Sequence, residues 1–197
     1  MQLFIETSSF YSSVAIFNEG SCLTYLQAQA PNSHAEILHV LIDNALKNNN
    51  LSVNNLKLLA MGGGPGSNTG LRIGLAALKG LGLVANLEPL AIDSHAAIAY
   101  SLNVMQSDSL VLSTSRKGLY NFTRFEGEIV ADRGNTKNPS ELARYLSSTC
   151  LVACPDHESA EILAEYQPEI LLPNAQLLGK FHPFSQTNFR VELSSMM

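Results

Sequence analysis

Apolar positions fall along this chain in two kinds of run. Short runs bounded by turn residues come first: Leu3 to Glu6, Ser12 to Phe17 and Cys22 to about Gln29, separated by Thr7-Ser8-Ser9 and Asn18-Glu19-Gly20-Ser21. Such runs predict three strands in succession. Beyond Pro31 the spacing changes, and Ile37, Leu38, Leu41, Ile42, Ala45 and Leu46 repeat with a period near 3.6 residues. That pattern predicts a helix to about Lys47, opened by a capping box of Ser33 and Glu36. Asn48 to Asn55 reads as a loop, and Leu56 to Met61 as a strand running into the glycine-rich stretch Gly62 to Gly70. A helix over about Leu71 to Asn86, a short strand at Pro89 to Ile92 and a helix from Ser94 to about Leu102 follow.

The second half repeats that order. Strands are predicted at Leu110–Ser113, Leu119–Phe125 and Glu128–Asp132, with turns at Arg116-Lys117-Gly118 and Glu126-Gly127. A helix after Asn138-Pro139-Ser140-Glu141 has proline in its first turn, where the missing N–H costs nothing. A strand at Cys150–Cys154, a helix from His157 to Tyr166, a strand at Glu169–Leu172 and a last short helix near Asn174 complete the chain. Two βββαβαβα units are the element order of a duplicated ribonuclease-H-like fold, the α/β architecture of actin, Hsp70 and sugar kinases. The expected division is an N-terminal lobe over residues 1–103 and a smaller, divergent lobe over 104–197. No residue-level identity links the halves, so this rests on order alone and carries no function.

Composition sharpens the picture. Apolar residues make up 46% of the 197, too many for a disordered chain, while charged residues are only 15%, against about 25% in an average globular protein. So thin a charged shell points to a surface covered by another chain. Twelve basic against seventeen acidic residues give a net charge of −5, the wrong sign for a stand-alone nucleic-acid binder. The opening Met1-Gln2-Leu3-Phe4-Ile5-Glu6 has no cationic leader region, and Arg72 and Lys79 interrupt the longest apolar stretch. Neither a signal peptide nor a membrane span is expected, and the expected compartment is the cytoplasm. Cys22, Cys150 and Cys154 form no even framework, which fits buried thiols in a reducing compartment.

The strongest local chemical signal is the glycine run. A strand entering glycines that open a helix can turn backbone N–H groups toward an anion. No Gly-Lys-Ser or Gly-Lys-Thr follows, and Ser67 stands where a dinucleotide fingerprint needs its third glycine. An anion loop and a tight structural turn both remain open from these residues. The helix after it is apolar or small on all sides apart from Arg72, Lys79 and Asn86, so most of its circumference needs cover. Leu71, Leu75 and Leu78 share one face, beside a groove of Gly74, Ala77 and Gly80. His34, His39, His95, His157 and His182 lack zinc-ligand spacing, and no G-x-S-x-G elbow appears. Neither a metal nor another cofactor is therefore expected. In an actin-like cleft, each first strand would end on an acid. Glu6 with Thr7 and Ser8 fits in the first half, whereas the second offers Ser113-Thr114-Ser115, and its later turn, Cys154-Pro155-Asp156, has no glycine. Such a cleft is poorly equipped for Mg-ATP.

The string GGGPGSNTGLRIG at Gly62 to Gly74 closely resembles the signature G-x-G-P-G-S-F-T-G-x-R-I-G of the bacterial TsaB (YeaZ) family, with Asn68 in place of phenylalanine. Ile5-Glu6-Thr7-Ser8, His34-Ala35-Glu36 with Leu38, and Arg116-x-Gly118 near Tyr120 extend the likeness, which is clear over about Met1 to Leu102 and weak afterwards. The resemblance implies a non-catalytic protein needed to make N6-threonylcarbamoyladenosine beside the anticodon of tRNA. Its partner would be a TsaD-like actin-fold transferase, cycled by a TsaE-like ATPase, with tRNA met only through the complex. Glu6, Thr7, Ser8, Gly63, Gly64 and Gly66 would then be a vestigial phosphate loop. The partner, or a second copy of the chain, would meet the two N-terminal-lobe helices, with His34, Ile37, Leu38, Leu41, Leu71, Arg72, Gly74, Leu75 and Leu78 at the contact. An actin-like ATPase or kinase in its own right is the alternative, and a metalloprotease a weaker one.

Overall fold

The computed structural model describes residues 1–30, 33–102, 108–116, 118–146, 150–184 and 190–191. The expected break at Pro31, the turn residue Lys117 and the lobe boundary at 103/104 lie outside them. The chain forms two units, one of residues 1–94 together with 173–197 and one of residues 95–172.

In the first unit, β1 (Gln2–Glu6), β2 (Tyr11–Asn18) and β3 (Ser21–Gln29) form an antiparallel meander, and β4 (Leu58–Gly62) and β5 (Leu90–Ile92) extend it in parallel beyond β1. The order is β3-β2-β1-β4-β5, with β11 (Arg190–Val191) added antiparallel on the β5 edge. Alternation along the strands sorts the core. Leu3, Ile5, Val14, Ile16, Leu59 and Met61 pack with Leu38, Leu41, Ile42 and Ala45 of α1 (His34–Asn48) and Leu71, Leu75 and Leu78 of α2 (Asn68–Ala85). Ser33 occupies the N-cap of α1 with φ −133° and ψ 25°, and it makes no side-chain capping hydrogen bond. The capping box predicted for Ser33 and Glu36 is therefore not formed. A box needs an extended N-cap, which this ψ does not provide.

Phe4 and Phe17, fully buried and edge to face at 5.5 Å, turn to the other side of the sheet. There α5 (Ala175–Phe181) covers β1 and β2, with the Ser13 hydroxyl accepting from the Ala175 amide at 2.9 Å. A side chain at Gly179 would run into the Phe17 ring. This corrects the expected second lobe of residues 104–197, because its last elements, α5 and β11, complete the first unit. The physical reason is cover for an aromatic face: burying a phenylalanine contributes about 1.5–3 kcal/mol relative to exposure.

The second unit repeats the topology. β6 (Asp108–Arg116), β7 (Leu119–Glu126) and β8 (Ile129–Thr136) form its meander, and β9 (Leu151–Cys154) and β10 (Glu169–Ile170) follow in parallel, in the order β8-β7-β6-β9-β10. Each meander followed by two parallel strands is the ribonuclease-H-like order, so the duplicated actin-like fold expected from element order is present. The segment Pro139–Tyr145 is 3-10, where an α-helix was expected. Its buried residues are Pro139 and Leu142, three apart, which suits three residues per turn. The predicted helix to Tyr166 stops at Ile162 as α4 (His157–Ile162), and Ala164–Tyr166 continues as a single 3-10 turn. Cys22, Cys150 and Cys154 are free thiols, and burial pushes Cys150 and Cys154 up to about 11.

Candidate functional site

At the end of β1, Glu6 turns its carboxylate inward beneath the Thr7-Ser8 turn and is buried. It accepts from the Thr7 amide at 2.8 Å, the Ser8 amide at 2.7 Å and the Ser94 hydroxyl at 2.7 Å. Burial raises its pKa above the ordinary 4.5, against the lowering effect of those hydrogen bonds. Ser94 begins α3 (Ser94–Ser101), and its amide donates to the Gly64 carbonyl at 2.8 Å.

The glycine run passes directly over this turn. A Cβ at Gly62 would fall inside the Glu6 carboxylate, and one at Gly70 would overlap the Thr7 carbonyl oxygen. At Gly66 it would lie 2.5 Å from the Ser8 carbonyl oxygen, and at Gly74 2.6 Å from Thr7 Oγ1. These four glycines are spaced by four residues, and all press on Glu6, Thr7 or Ser8. Two hydrogen bonds lock the contact: Thr7 Oγ1 donates to the Gly70 carbonyl at 2.8 Å, and the Ser67 amide donates to the Ser8 carbonyl at 2.7 Å. Ser67 also caps α2, accepting from the Gly70 amide. Gly63 donates to the Ile92 carbonyl at 2.7 Å and leaves room that Val191 of β11 occupies, while Gly64 takes φ +87°. The six residues expected to form a phosphate loop are thus brought together, but Thr7, Ser8 and Gly63 donate their amides within the protein.

The expected partner contact divides differently. Leu38, Leu41, Leu71, Gly74, Leu75 and Leu78 are buried in the core of the first unit. They are corrected here from interface to interior. The reason is that α2 is apolar around nearly its whole circumference, so its periodicity does not tell the sheet side from the solvent side. Of the named residues, Ile37 and His34 are half-buried and Arg72 is exposed. His34 Nδ1 and the Ser12 hydroxyl are hydrogen-bonded at 2.9 Å, and partial burial lowers the His34 pKa. The outward stripe of α2 consists of Arg72, Ala76, Lys79, Gly80 and Leu83, with Val84 beside it, and α1 adds His39, Val40 and Asp43. Leu83 is 86%, Val84 64% and Val40 58% exposed.

In the second unit, Thr114 ends up exposed at the β6 strand end, with its hydroxyl 3.5 Å from Asp156, which itself caps α4. The feature missed in the sequence is His95. It is fully buried, with Nδ1 2.9 Å from Thr123 Oγ1 and Nε2 2.8 Å from Ser113 Oγ. Desolvation first, and Arg133 second, lower its pKa to about 3, so the imidazole stays neutral. The polar triplet Asp93-Ser94-His95 inside the apolar run Leu90 to Ala99 was the available signal for both Ser94 and His95. Among the described residues, no group of three or more His, Cys, Asp or Glu side chains is arranged to hold a metal ion, and no helix is long and apolar enough to cross a membrane.

A family model described as TsaD, tRNA N6-adenosine threonylcarbamoyltransferase, matches residues 27–137. The chain belongs to this family. It is 33% identical over 110 residues to the tRNA threonylcarbamoyladenosine biosynthesis protein TsaB of Haemophilus influenzae, a match covering 55% of this chain and 46% of that protein. The protein of the same name from Escherichia coli is 31% identical over 97 residues, 49% of this chain and 42% of the relative. The chain thus matches less than half the length of these curated relatives. The solved structure of YeaZ from Pseudomonas aeruginosa shares the fold at a TM-score of 0.75 and 20% identity, covering 100% of this chain and 98% of that one.

Proposed function

We propose that this chain is an enzymatically silent subunit needed for N6-threonylcarbamoyladenosine modification of tRNA, acting by binding and supporting a TsaD-like transferase. The observation that carries the reading is its 31–33% identity to relatives named as TsaB biosynthesis proteins. The Glu6 turn supports silence. A buried carboxylate that accepts from two amides and a hydroxyl has three of its roughly four lone-pair sites taken up by the chain itself, and it is shut away from a solvent-side, metal-bound water. The docking face is the outward side of α1 and α2, where Val40, Leu83 and Val84 stand in the open. The same two helices expose Arg72, Lys79 and Asp43, and a mixture of exposed apolar and charged side chains is the composition of a protein interface. A second copy of the chain would compete for the same face, and a TsaE-like ATPase and tRNA would join only through the complex, in the cytoplasm.

The test is a reconstituted modification reaction with a TsaD-like transferase, its TsaE-like ATPase and tRNA. Threonylcarbamoyladenosine should form with this chain present and fall to background without it. Product independent of the chain, or micromolar Mg-ATP binding and turnover by the chain alone, would overturn the reading. The latter outcome would favour the ATPase alternative.

A further inference from the structure

The glycine signature has a job in this chain that requires no ligand. Gly62, Gly66, Gly70 and Gly74 recur every four residues, and each is bare where Glu6, Ser8 or Thr7 presses on the backbone. The first two lie before α2 and the last two in its opening turns, so all four bring the start of α2 against one short turn. The turn is itself held rigid from below, because Glu6 binds the Thr7 and Ser8 amides and is tied to Ser94. The contact is then fastened by Thr7 Oγ1 on the Gly70 carbonyl and by the Ser67 amide on the Ser8 carbonyl. Gly80, on the outward side of the same helix, has open space around it and takes no part.

We propose that Glu6, Thr7 and this glycine ladder are a seat that sets the height and rotation of α2, making Thr7 a positioning residue for the outward stripe Arg72, Ala76, Gly80 and Leu83. The inference rests on the docking face proposed above. Small residues let backbones approach closely, and an interface built on a helix inherits the precision with which that helix is held. A helix that rides up or rolls on its bed would carry Leu83 and Val84 out of register with a partner.

Thr7→Val keeps the shape of the side chain and removes its hydrogen bond to Gly70, while Thr7→Ser keeps the hydroxyl. Two readouts are taken on the full chain: amide exchange by mass spectrometry in the segment containing the start of α2, and affinity for a TsaD-like partner by calorimetry. Thr7→Val should speed exchange in that segment while leaving peptides of the second unit unchanged. It should also weaken partner binding about tenfold, with Thr7→Ser close to wild type on both measures. Wild-type exchange in Thr7→Val overturns the seat, and so does wild-type affinity in a variant whose α2 exchange has risen. If the unmodified chain fails to bind the partner at all, the docking reading fails instead, and exchange alone then decides whether Thr7 holds the helix.

Discussion

Glu6 illustrates how one buried group combines opposing effects. Its carboxylate satisfies three donors, yet burial makes ionisation costly and raises its pKa. A carboxyl whose folded pKa lies above its unfolded value stabilises most below the unfolded value, near 4.5. That contribution is lost as the pH rises through the folded pKa. Glu6→Gln preserves the shape, since its oxygen can accept from Thr7 and Ser8 while its NH2 group donates to Ser94. The urea midpoint of Glu6→Gln should therefore gain on wild type as the pH rises from about 4.5 and level off once wild-type Glu6 is ionised. Glu6→Ala strands three buried donors and should lose about 3 kcal/mol, roughly 6–12 °C in Tm. His95 gives the opposite slope. With a folded pKa of about 3 against an ordinary 6.5, its contribution is complete above 6.5 and is lost as the pH falls toward 3. The slope is at most about 1.4 kcal/mol per pH unit. A wild-type stability profile over that window steeper than that of His95→Gln would bear this out, and parallel profiles would refute it.

At the scale of the element, legibility depended on contrast around the axis. Helix α1 has a clear apolar stripe, and its inward residues Leu38, Leu41, Ile42, Ala45 and Leu46 are those its period marks. Helix α2 lacks such contrast, so its face against the sheet was read as a face for a partner. The four-residue glycine spacing was in the sequence throughout, but a bare position reports close approach without naming what approaches. The strand β11 and the 3-10 character of Pro139–Tyr145 depend on tertiary pairing and on short spacing, which hydrophobic periods resolve poorly. The corrected assignment sets the expectation for two substitutions. Gly74→Phe would drive a ring into Thr7 and Met61 and should cost several degrees of Tm by calorimetry. Leu83→Glu should change stability by no more than about 0.5 kcal/mol, as an exposed substitution, yet abolish co-elution with a TsaD-like partner. Normal co-elution of a folded Leu83→Glu protein would remove the outward face from consideration.

At the scale of the whole molecule, the order of elements predicted the duplicated architecture, while the division of the chain between units escaped it. No local pattern announces that α5 returns to the sheet of β1 and β2, because the partners Phe17 and Gly179 are about 160 residues apart in the chain and their contact is long-range. Truncation after Leu172 should therefore damage the distant N-terminal sheet by baring Phe4 and Phe17. The shortened chain should give poor near-UV dichroism and bind a hydrophobic dye, whereas an intact cooperative melt of the truncated chain would contradict the assignment.

The same return path governs how the protein comes off the ribosome. Residues 95–172 form a contiguous stretch, so that unit has everything it needs before synthesis ends. The unit begun by the first strand does not, since its aromatic face stays bare until α5 emerges and its β5 edge stays unpaired until β11 follows. Of the two units, the one begun first is thus finished last. Until α5 and β11 emerge, the nascent chain carries an open sheet edge and two exposed phenylalanines, the features that holding chaperones recognise and that aggregation exploits.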